Sequence, residues 1–154
     1  DTVISEGTNG KMSEVSAAMG LANLPHLGDL VEANKVRYQL YRDGLSGLRG
    51  VSVLEHGDGS NYQYVVMLVD ETCPASRDEI LAALRSKNVL ARRYFWPGVH
   101  RMEPYRTLDP TLAERLPATE LVSQQVIVLP TGPTLREEDV VRVCDIVRKA
   151  VEGG

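Results

Sequence analysis

The hydrophobic rhythm of the chain changes once, across Gly44, Gly47 and Gly50, and that change limits the folds open to it. Before it, apolar residues recur at helical spacing. Met12, Val15, Met19 and Ala22 share one face of a run over 12–24, with Ala17, Ala18 and Leu21 beside them. A face of such small residues suits close packing against another backbone, and the Met12/Met19 pair is expected in a core. Pro25 ends or kinks this helix, because proline lacks the N–H and clashes with the preceding turn. A second helical run sets Leu27, Leu30, Val31, Tyr38, Tyr41 and Leu45 on one side and leaves Asn34, Lys35, Arg37 and Arg42 to solvent.

After the glycines the period shortens. "VSVL" (51–54) reads as a short strand, "EHGDGSN" as a loop and "YQYVVMLVD" (62–70) as a buried strand rich in β-branched and aromatic residues. Ser76 and Glu79 form an S-x-x-E capping box at the head of a helix whose Ile80, Leu81 and Leu84 face a core. "VLARRYF" (89–95) is the next strand, followed by a proline-rich connection, a short helix in "LPATELVSQQ" and the strand "VIVLP" (126–130). Thr134 and Glu137 repeat the capping pattern before a last helix that presents Val140, Val141, Cys144 and Val147 and ends with Arg148 and Lys149. The predicted class is α+β: two helices, then a compact layer from residue 51 onward, with no repeat and no interdomain linker.

At 154 residues the chain has the length of about one domain. A net charge of −4 argues against a general nucleic-acid or anionic-membrane binder. No apolar run has the length of a membrane span, and no signal-peptide pattern opens the chain. Cys73 and Cys144 lie far apart without metal-ligand spacing and read as free thiols of a reducing cytoplasm. The opening at Asp1, polar and leading straight into a helix, reads as a cut through a longer protein.

Two stretches carry chemistry. "GTNGKMSE" (7–14) places glycines and Lys11 just before a helix, where free backbone N–H groups and a partial positive charge suit an anion. Its spacing is not that of a nucleotide P-loop. "ARRYFWPGVHRMEPYR" (91–106) gathers four arginines, two tyrosines, the only Trp, the only Phe and His100 at the end of a strand. That stretch is either a pocket wall offering Tyr94, His100, Tyr105 and arginines to an anionic or polyhydroxylated ligand, or a crossover whose aromatics fill the core and whose arginines are solvated. His26 and His56 read as surface residues. No paired-carboxylate, triad or metal signature stands out.

The same stretches resemble the DegT-type aminotransferases, fold-type I pyridoxal-phosphate enzymes acting on nucleotide-linked keto sugars. "GTNGKMSEVSAAMGLANL" is similar to their G-[YF]-N-x-[RK]-[ML]-[ST]-[ED] segment, and "RYFWPGVHRMEPYR" to their [YF]-x-x-P-x-H-x-x-P-x-Y segment. The closing "LPATELVSQQVIVLPTGPTLREEDVVRVCDIVRKA" resembles the family's last strand and capped helix. Together, in the family's order, these cover nearly the whole chain. The sequence departs at Thr8, where an aromatic is usual, and at Gly98, where a second proline is common.

The resemblance implies the small C-terminal domain of a fold-type I enzyme over 47–154. Residues 1–46 would supply the cofactor-phosphate loop and the helices that link to a large domain lying upstream. It implies pyridoxal 5'-phosphate as cofactor and a homodimer in which the loop reaches the partner's phosphate site through Asn9 and Lys11. It also implies a substrate wall of Tyr94, His100, Arg101 and Tyr105, with glutamate or glutamine as amino donor. No metal and no catalytic residue is implied here, because the Schiff-base lysine lies upstream and Lys35, Lys87 and Lys149 sit on expected exposed faces. This chain alone should be inactive. The strand–strand–helix–strand order also fits a ferredoxin-like regulatory or ligand-binding module without catalysis, its front helices serving dimerisation.

Overall fold

The computed structural model describes residues 10–153. Ser13 opens the first helix, α1 (Glu14–Asn23), by accepting the Ser16 backbone N–H at 3.2 Å. Pro25 kinks rather than ends the path: a 3₁₀ turn (Leu24–His26) leads directly into α2 (Leu27–Leu45). No residue of α1 is buried. Met12 and Met19, expected in a core, are 74% and 62% exposed, because no described element packs on their face. The same holds for Leu27 and Leu30 at the start of α2, whereas Tyr38, Tyr41 and Leu45 in its second half are buried. Arg37 also departs from expectation. It is half-buried, its Nε donating to the Leu135 carbonyl at 2.6 Å across the fold.

The strands β1 (Val51–Val53), β2 (Val65–Val69), β3 (Arg92–Arg93) and β4 (Val126–Leu129) form one antiparallel sheet in the order β1-β2-β4-β3. Helix α3 (Arg77–Ser86) connects β2 to β3 across the place that β4 later fills. Three short helices follow β3: α4 (Tyr105–Leu108), α5 (Leu112–Arg115) and α6 (Pro117–Gln125). Helix α7 (Glu137–Glu152) closes the chain. The topology holds one split β-α-β unit, fewer than the two of a ferredoxin-like domain.

Alternation along the strands gives the sheet two faces. Val65, Met67, Val69, Ile127 and Leu129 face the helices and join Tyr41, Ile80, Leu84, Val140 and Val147 in the core. Val66, Leu68, Val126 and Val128 point the other way, toward the side covered by α6. The Tyr41 hydroxyl donates to the Pro130 carbonyl at 3.0 Å, tying α2 to the end of β4. Helices α2 and α7 approach closely at Gly44, where an added β-carbon would sit 2.6 Å from Cys144 Sγ. Arg148 completes the junction by donating to the carbonyls of Gly44 (2.8 Å) and Ser46 (3.1 Å) at the end of α2. Gly50, at φ 71°, turns the chain into β1 against the Cys73 backbone, where no side chain fits.

The Ser76–Glu79 capping box forms as expected. The second does not form at Thr134 and Glu137. Leu135 N bonds Gly132 O in a turn that holds Thr134, so α7 starts later and Asp139 accepts the Arg136 N–H at 3.2 Å. Val141 points outward, opposite the buried row of Val140, Val143, Cys144, Val147 and Val151. The strand expected over 89–95 shrinks to two residues, because local bonds from Val89 N and Ala91 N turn the chain before it and Phe95 (φ 46°) turns it after. His56 is not a surface residue. Half-buried, it bonds the Tyr64 carbonyl (2.9 Å) and Ser60 (3.0 Å) and packs edge-on to Tyr38.

Candidate functional site

Where β3 ends, the sequence obliges the chain to fold irregularly. Two prolines follow cis peptide bonds, Trp96–Pro97 and Glu103–Pro104, and Gly98 adopts φ 101°. Proline's ring fixes φ near −65°, so the second proline common in the DegT-type segment does not fit the conformation that Gly98 takes here. An added β-carbon at Gly98 would also lie 2.5 Å from His100 Cε1. The bare glycine therefore lets the His100 ring fold back against the backbone.

His100 sits in the 3₁₀ turn Val99–Arg101 and is buried. Its Nε2 lies 2.5 Å from Glu120 Oε1, in the first turn of α6. Arg101 grips the same carboxylate with two donors, Nε to Oε1 at 2.6 Å and Nη2 to Oε2. Such fork-shaped, charge-assisted pairs are the stronger class of hydrogen bond. Arg101, and after it His100, hold the Glu120 carboxyl down at about 2. The clasp fastens the loop from β3 to α6, and beside it opens a cleft of about 760 Å³ lined by Tyr94, Phe95, Val99, His100, Tyr105 and Val122, among others. The walls are mainly apolar and aromatic, with a few polar tips. That composition suits a ring-shaped ligand held by stacking and a small number of hydrogen bonds.

Of the residues singled out in the sequence, Tyr94, His100 and Tyr105 meet around this cleft. Arg101 stands behind it, committed to Glu120. Lys11 is exposed, just ahead of Ser13, and does not line this cleft. Asn9 lies outside the described residues. Trp96 turns from the cleft toward two guanidiniums, Arg77 at 4.8 Å and Arg93 at 5.5 Å. Among the described residues no group of three or more metal-ligating side chains occurs, and no helix is long and apolar enough to cross a membrane.

Two residues were not found by reading the sequence. Glu120 is separated from His100 by twenty positions and looks like an ordinary acid at a helix start. Arg77 follows a capping serine and looks solvated, yet it is buried and donates to the Ser123 and Val126 carbonyls at 3.1 and 3.4 Å. It ties the start of α3 to the end of α6.

The sequence profile of the DegT/DnrJ/EryC1/StrS aminotransferase family matches residues 2–148. The chain is 36% identical, over 95% of its length, to the dTDP-4-amino-4,6-dideoxy-D-glucose transaminase of Escherichia coli, of which it covers 40%. It is 30% identical, over 96% of its length, to the dTDP-3-amino-3,4,6-trideoxy-alpha-D-glucose transaminase of Micromonospora megalomicea, of which it covers 39%. Among solved structures it superposes on DesI, crystallised in the presence of its TDP-sugar product, with a TM-score of 0.82 and 38% identity. That match covers 96% of this chain and 38% of DesI. Streptomyces venezuelae DesV gives a TM-score of 0.83 at 26% identity, covering 97% of this chain and 39% of DesV. The chain spans about two fifths of the length of the curated relatives it matches.

Proposed function

The chain belongs to the DegT/DnrJ/EryC1/StrS aminotransferase family, and from that premise we propose that it is the C-terminal part of a pyridoxal-phosphate-dependent transaminase that aminates a nucleotide-linked keto sugar. The observation that carries the reading is the collinear match over residues 2–148, joined by superposition on DesI along 96% of the chain. It favours this reading over a ferredoxin-like binding module. Residues 47–154 would form the small domain. Residues 1–46 would form the cofactor-phosphate loop and connecting helices, with the second half of α2 rooted in the small-domain core. The parent would work as a homodimer in the cytoplasm, with glutamate or glutamine as donor; the two unpaired thiols, Cys73 and Cys144, accord with that compartment.

Pyridoxal phosphate supplies an electron sink for the carbon that exchanges its amino group. The residues described fit only part of its binding. Lys11, exposed ahead of a capped helix start, suits a phosphate dianion, and Asn9 would add an amide donor. Lys35 pairs with Glu32 at 3.9 Å, and Lys87 and Lys149 are exposed, so the lysine that bonds the cofactor's aldehyde is assigned to another part of the parent. What this chain contributes at the cleft is binding and orientation. Tyr94 and Tyr105 present ring faces and hydroxyls to the sugar. The Glu120 clasp orients His100 and Arg101 and holds the loop closed against α6.

The test is made on the full-length parent, reconstituted with pyridoxal phosphate and assayed for amino transfer from glutamate to a dTDP-linked keto sugar. Transfer is expected from the parent and none from this chain alone. A parent that neither binds the cofactor nor turns over would overturn the reading. Asn9→Ala in the parent should weaken cofactor binding, and unchanged affinity would remove the phosphate role.

A further inference from the structure

Two walls of the cleft are distant in the chain: the loop 94–100, and α6 with the first residue of β4. The Glu120 clasp joins them at the first turn of α6. The far end of that helix has a separate tie, and Arg77 supplies it. Its Nη1 donates to the carbonyls of Ser123 (3.1 Å) and Val126 (3.4 Å), and both residues line the cleft. Ser123 lies in the last turn of α6, where carbonyls lack partners within the helix and a cation suits the dipole. The same guanidinium lies 4.8 Å from the Trp96 ring centroid, within cation–π reach, and Trp96 follows Phe95 of the opposite wall. Asp78 closes the set. Its Oδ1 is 2.6 Å from Arg77 Nε and 3.1 Å from Arg93 Nε, and Arg93 approaches Trp96 at 5.5 Å. Arg77, Asp78, Arg93 and Trp96 do not themselves line the cleft. Burying a charge is costly unless it is paired and hydrogen-bonded. The buried Arg77 meets that condition by giving donors to the backbone of one wall and its planar face to the other.

We propose that Arg77 is a positioning residue for the cleft. Through the Ser123 and Val126 carbonyls on one side and the Trp96 ring on the other, it sets the spacing of the walls that receive the substrate. The inference rests on the reading of this cleft as the sugar site. A cleft that holds its ligand by ring contact and few hydrogen bonds depends on that spacing, because a gap of about 1 Å forfeits much of the dispersion attraction. The Glu120 clasp fixes only the near end of α6. Without Arg77 the far end, with Val122 and Ser123, is released from the wall of Phe95 and Val99. Arg77 acts through these groups and not by contact with the substrate.

The experiment uses the full-length parent with pyridoxal phosphate bound. It compares Arg77→Gln, Trp96→Leu and their double variant with Gly44→Ala, which strains the α2–α7 contact away from the cleft. The glutamate half-reaction, followed with glutamate alone by the cofactor's absorbance, should keep its rate in all four. KM for the keto sugar should rise about tenfold or more in Arg77→Gln with kcat unchanged, the mark of lost substrate binding. Trp96→Leu should raise KM in the same direction, and the double variant no further than the stronger single one, because one tie is cut. Gly44→Ala, a loss of stability elsewhere, should leave KM unchanged. A second readout needs no turnover: the methyl resonances of Val99 and Val122 should shift in Arg77→Gln and stay in place in Gly44→Ala. Shifted methyls in a parent that transfers no amino group would support the tie and count against the transaminase reading alone. An unchanged KM in Arg77→Gln, equal losses in both half-reactions, additive effects in the double variant, or unmoved methyls would overturn the proposal.

Discussion

Helices α2 and α7 touch at a glycine, and this contact makes a quantitative prediction. An alanine at position 44 would bring its β-carbon to 2.6 Å from Cys144 Sγ and 3.1 Å from Cys144 Cβ. Alanine gains up to about 1 kcal/mol over glycine in a helix. Overpacking a filled core loses about 1–3 kcal/mol. Gly44→Ala should therefore be destabilising by about 1 kcal/mol, the two effects partly offsetting. Cys144 is buried and its thiol, pushed up to about 11 by desolvation, stays neutral. Cys144→Ala deletes one buried sulfur, on the order of 1 kcal/mol. Independent effects would sum to about 2 kcal/mol in the double variant. The steric account requires less, because removing Sγ abolishes the worse collision and leaves only the tight one with Cβ. A favourable coupling of about 1 kcal/mol is expected, within the range for residues in contact. Urea unfolding of the four proteins, followed by far-UV circular dichroism and Trp96 fluorescence, measures it. Strict additivity would show that the close approach at Gly44 does not exist in solution.

Three further predictions concern the site. The Glu120 carboxyl sits near 2 against an ordinary 4.5, so its interactions stabilise the fold above about pH 4.5 and are lost as pH falls toward 2. Wild-type stability should decline across that window more steeply than that of Glu120→Gln; parallel curves would contradict the clasp. Gly98→Ala places a methyl against the His100 ring in a left-handed backbone position, so the His100 imidazole resonances should shift as the bond to Glu120 lengthens. Arg77→Gln removes charged donors from two carbonyls, costing about 1.5–3 kcal/mol, and alters Trp96 fluorescence through loss of the guanidinium at 4.8 Å. An unchanged emission spectrum would place Trp96 elsewhere.

What the sequence discloses follows the range of the interactions involved. The Ser76–Glu79 box and the core face of α3 are local, set by spacing of three or four residues, and were legible, as was the strand at β2 from its β-branched run. The start of α7 was not, because a turn at Gly132–Leu135 competes with the Thr134 cap, and the Thr134–Glu137 and Arg136–Asp139 pairs share one spacing two positions apart. The α1 face reads as core by its period, yet period reports that a face is apolar and not what covers it. The loop from Tyr94 to Tyr105 stood out by its composition, which left a pocket wall and a core-filling crossover both open. The carboxylate that organises it was not, since Glu120 reaches His100 only through the fold. Arg77 was hidden for the same reason: its partners are backbone carbonyls, which leave no mark in sequence.

Strand β4 lies between β2 and β3 in space but follows both in the chain. Until residues 126–129 arrive, β3 has no partner and β2 is paired on one side only. The helices that pack on the core face likewise wait for Ile127 and Leu129. Assembly of this sheet is thus ordered by its last strand, and closure spans long stretches of chain, a topology that folds slowly relative to one built from local contacts. During synthesis the stretch through residue 125 must remain unpaired along the edge that β4 will occupy, and the short, charged Arg92–Arg93 strand is well suited to wait there without pairing wrongly.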